Sequence, residues 1–150
     1  MEYVPGGRIL DYLIQFKIFP EPVARFYAAE VILALGYIHD ELDSIYRDLR
    51  PGNILLDEFG HIKLKDFGLS KIGAKRARSF CGNSQYLAPE ILDRKEYDKV
   101  IDFWALGCFV FEMLNGYKAF CENNENILFT LIKKGSSKDF RKDLSETAID

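Results

Sequence analysis

Residues 46–53 have the sequence YRDLRPGN and lie where a helical pattern ends and a short apolar run, Ile54-Leu55-Leu56, begins. Asp48 and Asn53 place a carboxylate and an amide five positions apart in this predicted loop, with Arg50 between them as a fixed positive charge. Hard oxygen groups of this kind are the ligands that magnesium prefers. The loop is therefore a candidate site for binding a metal ion and phosphate groups.

The residues that follow this loop predict a small β-hairpin. Ile62 and Leu64 alternate with polar residues, and a turn sequence, DEFG at 57–60, separates them from the apolar run. Asp66 comes directly after the second predicted strand, so the hairpin can fold it back toward Asp48 and Asn53. Together these groups suit Mg-bound phosphates and an attacking hydroxyl. Taken singly, each is a common turn residue, and an ordinary polar loop is the alternative.

Helical periodicity dominates the sequence before the loop. Apolar residues recur every three to four positions over residues 22–39, broken only by Glu30, and Pro22 suits the first turn of a helix. A shorter helix is predicted from Ile9 to about Ile14, after the turn sequence Pro5-Gly6-Gly7.

Residues 99–114 predict a helix that is apolar on nearly every face and therefore buried all round. Asp102 lies inside this run, and a buried carboxylate needs partners. One more amphipathic helix is predicted around residues 127–132, and Ser145 is predicted to cap another that has only begun. Residues 65–89 have no sustained pattern, which in a compact domain indicates a functional segment.

The composition predicts one globular domain without a nucleic-acid or membrane partner. The chain has 150 residues, 48% of them hydrophobic, and a formal net charge of −3. The basic run at 71–79 favours a solvated loop over a nucleic-acid patch. Three cysteines without disulfide or zinc spacing, and no signal peptide or membrane-spanning stretch, predict an intracellular, most simply cytoplasmic, protein.

Several ordered motifs resemble those of eukaryotic protein kinases. YRDLRPGN resembles the catalytic loop, with Tyr46 in place of the usual histidine, while DFG at 66–68 and APE at 88–90 resemble the two ends of the activation segment. The strings MEYVPGG, RFYAAE, DFGLSK, CGNSQYLAPEIL and DFWALG further resemble the AGC group, which includes the cyclic-AMP-dependent kinase.

The resemblance covers essentially the whole chain and implies an α+β, mainly α fold. It corresponds to a kinase C-terminal lobe with a small β-hairpin region, and the N-terminal lobe is expected to be absent. Residues 1–150 would form one partial kinase domain, from the hinge through most of the C-lobe, truncated at both ends.

The resemblance also assigns catalytic and metal-binding roles. Asp48 would be the base that accepts the substrate hydroxyl proton, and Asn53 and Asp66 would hold magnesium. Arg50 stands where these kinases have a lysine that contacts the transferring phosphate. Asn83 stands where they have a threonine that bonds to the catalytic aspartate.

ATP would bind at the hinge, where Glu2 and Val4 match positions whose backbone groups contact adenine and Leu55 matches the floor of the adenine pocket. ATP and Mg²⁺ are therefore the implied cofactors. Apart from the resemblance, core packing is the simplest interpretation of Leu55.

Ser79 matches an activation-loop phosphorylation site, with Arg47 and Lys71 expected to bind the phosphate and an upstream kinase expected to add it. A solvated loop is the alternative for this basic segment.

The remaining assigned residues are structural. Asp102 would receive backbone N–H groups from the catalytic loop, and Glu90 would pair with an arginine that lies beyond Asp150. Tyr46 and Phe67 are assigned structural roles within their motifs. For substrate choice, Arg8 and Gly52 replace acidic residues that select basic substrates, whereas Glu112 keeps that character.

Two functions remain open from the sequence. In the first, the chain represents a serine/threonine kinase that phosphorylates proteins, because DLRPGN resembles the DLKPEN of that class. The family's glycine-rich loop, strand lysine and helical glutamate are not found in this sequence, so residues 1–150 alone are expected to be inactive. In the second, the chain is a catalytically dead lobe that binds other proteins.

Overall fold

The computed structural model describes residues 3–73 and 76–149. Its helices are α1 (Ile9–Phe16), α2 (Glu21–Gly36), α3 (Pro89–Leu92), α4 (Val100–Asn115), α5 (Glu125–Lys134) and α6 (Glu146–Ile149), and its strands are β1 (Ile54–Leu56) and β2 (Ile62–Leu64). The predicted architecture of mostly helices with one small two-stranded sheet is confirmed. Within the described ranges, no helix combines the length and apolar character needed to cross a membrane.

The packing of α2 against α4 forms the centre of the core. Val31 and Leu35 of α2 and Phe109 and Met113 of α4 are fully buried. Pro22 lies in the first turn of α2, as predicted, because its missing N–H is not needed there. At its other end α2 continues into a wider helical turn, Tyr37–Glu41, which leads toward the loop at residues 46–53.

The prediction that α4 is buried on every face is wrong for its first two turns. Val100 is 58% exposed and Phe103 is 43% exposed, whereas Ile101 and Asp102 between them are buried. The ring of Phe103 contacts the ring of His39 in an edge-to-face arrangement, at 5.5 Å between ring centroids. Cys108 is buried, in agreement with its interpretation as a small core residue, and burial raises the pKa of its thiol to about 12.

The hairpin forms with the predicted strands. β1 and β2 pair antiparallel, with Ile54 opposite Leu64 and Leu56 opposite Ile62. Asp57 closes the turn, because its Oδ1 accepts the N–H groups of Phe59 and His61, both at 2.9 Å.

The start of the chain runs along the other edge of β1. Leu56 donates its N–H to the carbonyl of Gly7 at 2.9 Å, and Arg8 forms a bridge with Leu55. A Cβ atom on Gly6 would lie 2.4 Å from the carbonyl oxygen of Leu56. Only glycine therefore allows this close backbone approach.

Ser145 does not cap α6 in the predicted way. Its N–H and its hydroxyl both donate to the carboxylate of Glu21, each at 2.7 Å. The sequence pattern correctly placed a helix start after Ser145, but it could not reveal an acceptor 124 positions earlier in the chain. The contact fastens the last helix to the first turn of α2.

Replacement of Phe109 by alanine tests the centre of the core. We expect Phe109→Ala to lower the free energy of unfolding by about 3–5 kcal/mol, because it leaves a cavity between α2 and α4. Phe103→Ala on the same helix is the matched control and should cost about 1 kcal/mol or less, since that ring is half exposed. Urea denaturation followed by circular dichroism measures both, and equal losses would contradict this description of the core.

Candidate active site

The carboxylate of Asp102 anchors the start of the loop at residues 46–53, which is the predicted catalytic loop. It is 1% exposed. Its Oδ2 accepts the N–H of Tyr46 at 2.9 Å and lies 2.7 Å from Nε2 of His39, while its Oδ1 accepts the N–H of Arg47 at 2.8 Å. Because the carboxylate only accepts, Nε2 of His39 carries the proton of that contact. Three donors compensate the burial of this charge.

Arg47 and Asp66 both adopt left-handed backbone conformations, with φ of 69° and 59°. Non-glycine residues rarely adopt such angles, which cost about 1–3 kcal/mol and persist only where the surroundings hold them. For Arg47 the holding contact is the hydrogen bond to Asp102. These two residues lie at the catalytic loop and at the end of the hairpin, which are the two segments that carry the predicted site.

Three predicted site residues meet at the carboxylate of Asp48. Asn53 donates from Nδ2 to Oδ2 of Asp48 at 2.6 Å and to its carbonyl at 2.9 Å. Nε of Arg50 lies 3.3 Å from Oδ1, within ion-pair distance but without hydrogen-bond geometry. The carboxylate is thus held in one orientation next to a fixed positive charge.

Asn53 also presents an unsatisfied oxygen. The residue is 1% exposed, and its Oδ1 has no hydrogen-bond partner in the part of the chain that the structure describes. An orphaned buried acceptor costs about 1–3 kcal/mol. The N–H of Lys65 donates to the carbonyl of Asn53 at 3.0 Å, which brings the neighbouring Asp66 to the same end of the hairpin.

This donor set fits magnesium. Asn53 offers an amide oxygen and Asp66 a half-exposed carboxylate, whose Oδ2 lies 3.0 Å from Nζ of Lys65. Magnesium is commonly bound through one or two carboxylates with water and phosphate oxygens completing its shell. Among the described residues no cluster of three or more His, Cys, Asp or Glu side chains could form an all-protein cage.

Tyr46 and Phe67 join the catalytic loop to the segment after the hairpin. The fully buried Tyr46 donates its hydroxyl to the carbonyl of Lys65, and its ring meets that of Phe67 edge-on at 5.2 Å. Burial, helped by the charge of Asp48, raises the pKa of Tyr46, so the group remains a neutral donor.

Asn83 lies next to Asp48 but bonds elsewhere. Both residues line one small cavity, yet in the described ranges the side chain of Asn83 bonds only to the N–H of Gln85, at 3.2 Å. That contact caps the short helical turn Ser84–Tyr86.

Glu112, singled out for substrate choice, is buried and accepts the hydroxyl of Tyr86. Burial raises the pKa of the Glu112 carboxyl, and the hydrogen bond from Tyr86 opposes that rise. Arg8, the other charged position singled out for substrate choice, is exposed and pairs with Asp11 at 2.7 Å.

Ser79 contacts one of its two predicted partners. Nη1 of Arg47 donates to its Oγ at 2.7 Å, and Nε of Arg47 donates to the carbonyl of Leu69 at 2.6 Å. Lys71 instead pairs through its backbone with Ile45, at 2.9 and 3.1 Å, and no side-chain contact between Lys71 and Ser79 occurs in the described residues.

Tyr97 is a second partner of Ser79, and sequence reasoning missed it. Its hydroxyl donates to the carbonyl of Ser79 at 2.7 Å and accepts from Nη1 of Arg47 at 3.2 Å. Its backbone also pairs with Ala77 at 2.8 and 2.9 Å. A lone tyrosine before a helix offers no pattern from which these contacts could have been inferred.

The remaining assigned residues are placed as follows. Val4 accepts the N–H of Gly7 through its carbonyl at 3.4 Å, and Leu55 is half-buried on β1. Glu2 lies outside the described residues. The side chain of Glu90 is partly buried and makes no hydrogen bond or ion pair within the described ranges, while its carbonyl accepts the N–H of Lys95 at 3.1 Å.

The chain belongs to the protein kinase family, since the profile of the protein kinase domain matches residues 1–150. The cAMP-dependent protein kinase type 3 of Saccharomyces cerevisiae is 47% identical over 138 residues, covering 89% of this chain and 34% of that protein. The cAMP-dependent protein kinase catalytic subunit of Schizosaccharomyces pombe is 47% identical over 136 residues, covering 90% and 26%. The serine/threonine-protein kinase Sgk3 of Rattus norvegicus is 46% identical over 136 residues, covering 85% and 27%.

These matches confirm the predicted membership in the protein kinases, a class of transferases, and the predicted resemblance to the cyclic-AMP-dependent type. The chain spans between 26% and 34% of the length of these three relatives.

Substitution of Tyr97 by phenylalanine tests the docking of residues 77–81. We expect Tyr97→Phe to accelerate amide hydrogen exchange in this segment by about tenfold, because the carbonyl of Ser79 loses its hydroxyl donor. Tyr3→Phe, at an exposed tyrosine, is the matched control. Mass spectrometry measures the exchange. Equal exchange rates of residues 77–81 in both variants would show that the hydroxyl of Tyr97 does not hold this segment.

Proposed function

We propose that the protein transfers the terminal phosphoryl group of ATP to serine or threonine hydroxyls of protein substrates. The observation that carries this proposal is the carboxylate of Asp48, fixed by Asn53 and Arg50 next to the unsatisfied oxygen of Asn53. A base, a fixed cation and a metal-binding oxygen are the groups that phosphoryl transfer requires at one place. The named activities of the relatives support the same reaction.

Asp48 would accept the proton of the substrate hydroxyl as its oxygen attacks the phosphorus. The double contact from Asn53 keeps one carboxylate oxygen in a fixed orientation, and fixed orientation lowers the entropic part of the barrier. In this structure Arg50 forms an ion pair with Asp48. During the reaction its guanidinium would also turn toward the transferring phosphate.

Asn53 and Asp66 would hold magnesium, and magnesium would neutralise charge on the phosphate oxygens. Around the adenine, the backbone of Val4 and the side chain of Leu55 would provide the pocket, together with Glu2. The close approach of Gly6 to β1 supports this placement, because it keeps the first segment of the chain next to Leu55.

The chain would be most of a C-terminal kinase lobe within residues 1–150, with the hinge at its start. Ser79 would be phosphorylated by an upstream kinase, and its existing contact with Arg47 supports that role. We place the protein inside the cell, most simply in the cytoplasm, since ATP is found there and Cys81, Cys108 and Cys121 are free thiols.

Phosphate transfer from radiolabelled Mg-ATP to a serine/threonine peptide library tests the function. The product of the complete open reading frame, read through the codons on either side of residues 1–150, is expected to be active. Asp48→Asn should lower kcat by a factor of about 100 to 10,000 because the base is lost. Asp139→Asn, at an exposed position, is the matched control.

Residues 1–150 alone should transfer phosphate only at background rate, because the family's phosphate-covering loop and strand lysine are not among them. Robust Asp48-dependent transfer by these residues alone would contradict that expectation. If stop codons bound the reading frame on both sides and no transfer occurs, the kinase activity is refuted and a protein-binding role becomes the one to test.

A further inference from the structure

The outer edge of the hairpin needs a partner. Lys65 bonds to Asn53 and Asp57 bonds to His61 across the two strands, so by alternation the N–H of Ile62 points away from β1. Two-stranded hairpins are only marginally stable alone, and an edge N–H that is partly buried must be satisfied. The three-residue strand β2 therefore depends on contacts from outside the sheet.

Glu30 of α2 supplies those contacts. Its Oε2 accepts the N–H of Ile62 at 2.9 Å, and its Oε1 lies 2.5 Å from Nδ1 of His61. The carboxylate is largely buried, whereas the imidazole is more than half exposed and packs on the ring of Phe26 at 5.9 Å between centroids. One side chain thus fastens α2 to both the turn and the second strand of the hairpin.

The position of this contact links the two halves of the site. β2 leads through Lys65 to Asp66, while α2 leads through the turn Tyr37–Glu41 toward Asp48. A shift of β2 on α2 would therefore move Asp66 relative to Asp48 and Asn53, which hydrogen bonds hold together in one loop.

We propose that Glu30 is a positioning residue that, together with His61, holds the hairpin on α2 and so fixes Asp66 relative to Asn53 and Asp48. This inference rests on the magnesium-binding role proposed above for Asn53 and Asp66. The contact between Glu30 and His61 is called the hairpin tie below.

The hairpin tie depends on pH through His61. The hydrogen bond and the charge of Glu30 raise the pKa of His61 above 6.5, and Asp57 raises it further. Further ionisable groups near the tie include Lys63 on β2, whose charge acts on Asp57, and Tyr27 on α2, on which the charge of Glu30 acts. Because the folded-state pKa is raised, the charge-assisted tie is complete below pH 6.5 and weakens as the pH rises through the folded-state pKa. A neutral imidazole can still donate from Nδ1, so the tie is reduced to an ordinary hydrogen bond.

The first test follows the two histidines of the chain by NMR, with the buried His39 as an internal reference. Glu30→Gln should return the pKa of His61 toward its ordinary value. Glu58→Gln, an exposed carboxylate in the hairpin turn, is the matched control and should leave it raised. Glu30→Ala should make the amide of Ile62 exchange about tenfold faster. An unchanged His61 titration in Glu30→Gln would overturn the tie.

The second test uses Mn²⁺ as a paramagnetic probe of the metal site, with affinity measured by electron paramagnetic resonance. Glu30→Gln and Glu30→Ala should weaken Mn²⁺ binding about three- to tenfold, whereas Glu58→Gln should not. His61→Asn keeps an N–H donor that does not titrate. The Mn²⁺ affinity of this variant relative to that of the unaltered chain should therefore rise as the pH passes the raised pKa of His61, where the natural tie weakens.

The two proposals fail in different ways. Absence of Mn²⁺ binding to the unaltered chain would refute the proposed metal site, and the NMR results would still decide whether the tie exists. Normal Mn²⁺ binding that is unaffected by both Glu30 substitutions would refute the positioning role alone. Circular dichroism identifies any variant that fails to fold. If Glu30→Ala does not fold, Glu30→Gln, which preserves the shape of the side chain, is compared with the unaltered chain instead.

Discussion

A single buried carboxylate, that of Asp102, holds the loop at residues 46–53 in place. Removal of an unpaired carboxylate from water costs several kcal/mol, so the fold must supply donors, and it does so from two separate segments. The N–H groups of Tyr46 and Arg47 come from the loop, and the imidazole of His39 comes from the turn Tyr37–Glu41 that follows α2. The loop therefore cannot move away from α4 without leaving this buried charge with His39 as its one remaining donor among the described residues. The orientation of Asp48, one residue further on, follows from that constraint.

The sequence allowed the prediction of elements whose determinants are local. Apolar spacing located α2 and α4, alternation and a turn sequence located the hairpin, and the motif residues Asp48, Arg50 and Asn53 proved to be neighbours in space. The carboxylate of Asp102 could also be recognised as needing partners, since a charge inside an apolar run is too costly to bury unless hydrogen-bond donors surround it.

Partners distant in the chain could not be predicted. His39 lies 63 positions from Asp102, and Glu30 lies 31 positions from His61, and periodicity carries no information about such pairs. The break that Glu30 makes in the apolar stripe of α2 was the one visible sign of its role. The exposure of Phe103 was missed for the same reason, because hydrophobic character alone does not tell which neighbours cover a residue. Asn83 caps a local turn, whereas Lys71 pairs through its backbone with the distant Ile45, and the motif comparison could foresee neither contact.

The contacts of Ser79 limit how far a phosphate on this residue could shift the population of the ordered segment. Its hydroxyl already binds Arg47, and its carbonyl already binds Tyr97, with the serine unmodified. A phosphate on Ser79 would therefore further stabilise an arrangement that the unmodified serine already adopts. A modification can shift an equilibrium only by its differential affinity for the two states. A segment that is docked beforehand leaves less free energy for the modification to add, so the unmodified form would keep a substantial population of the ordered state.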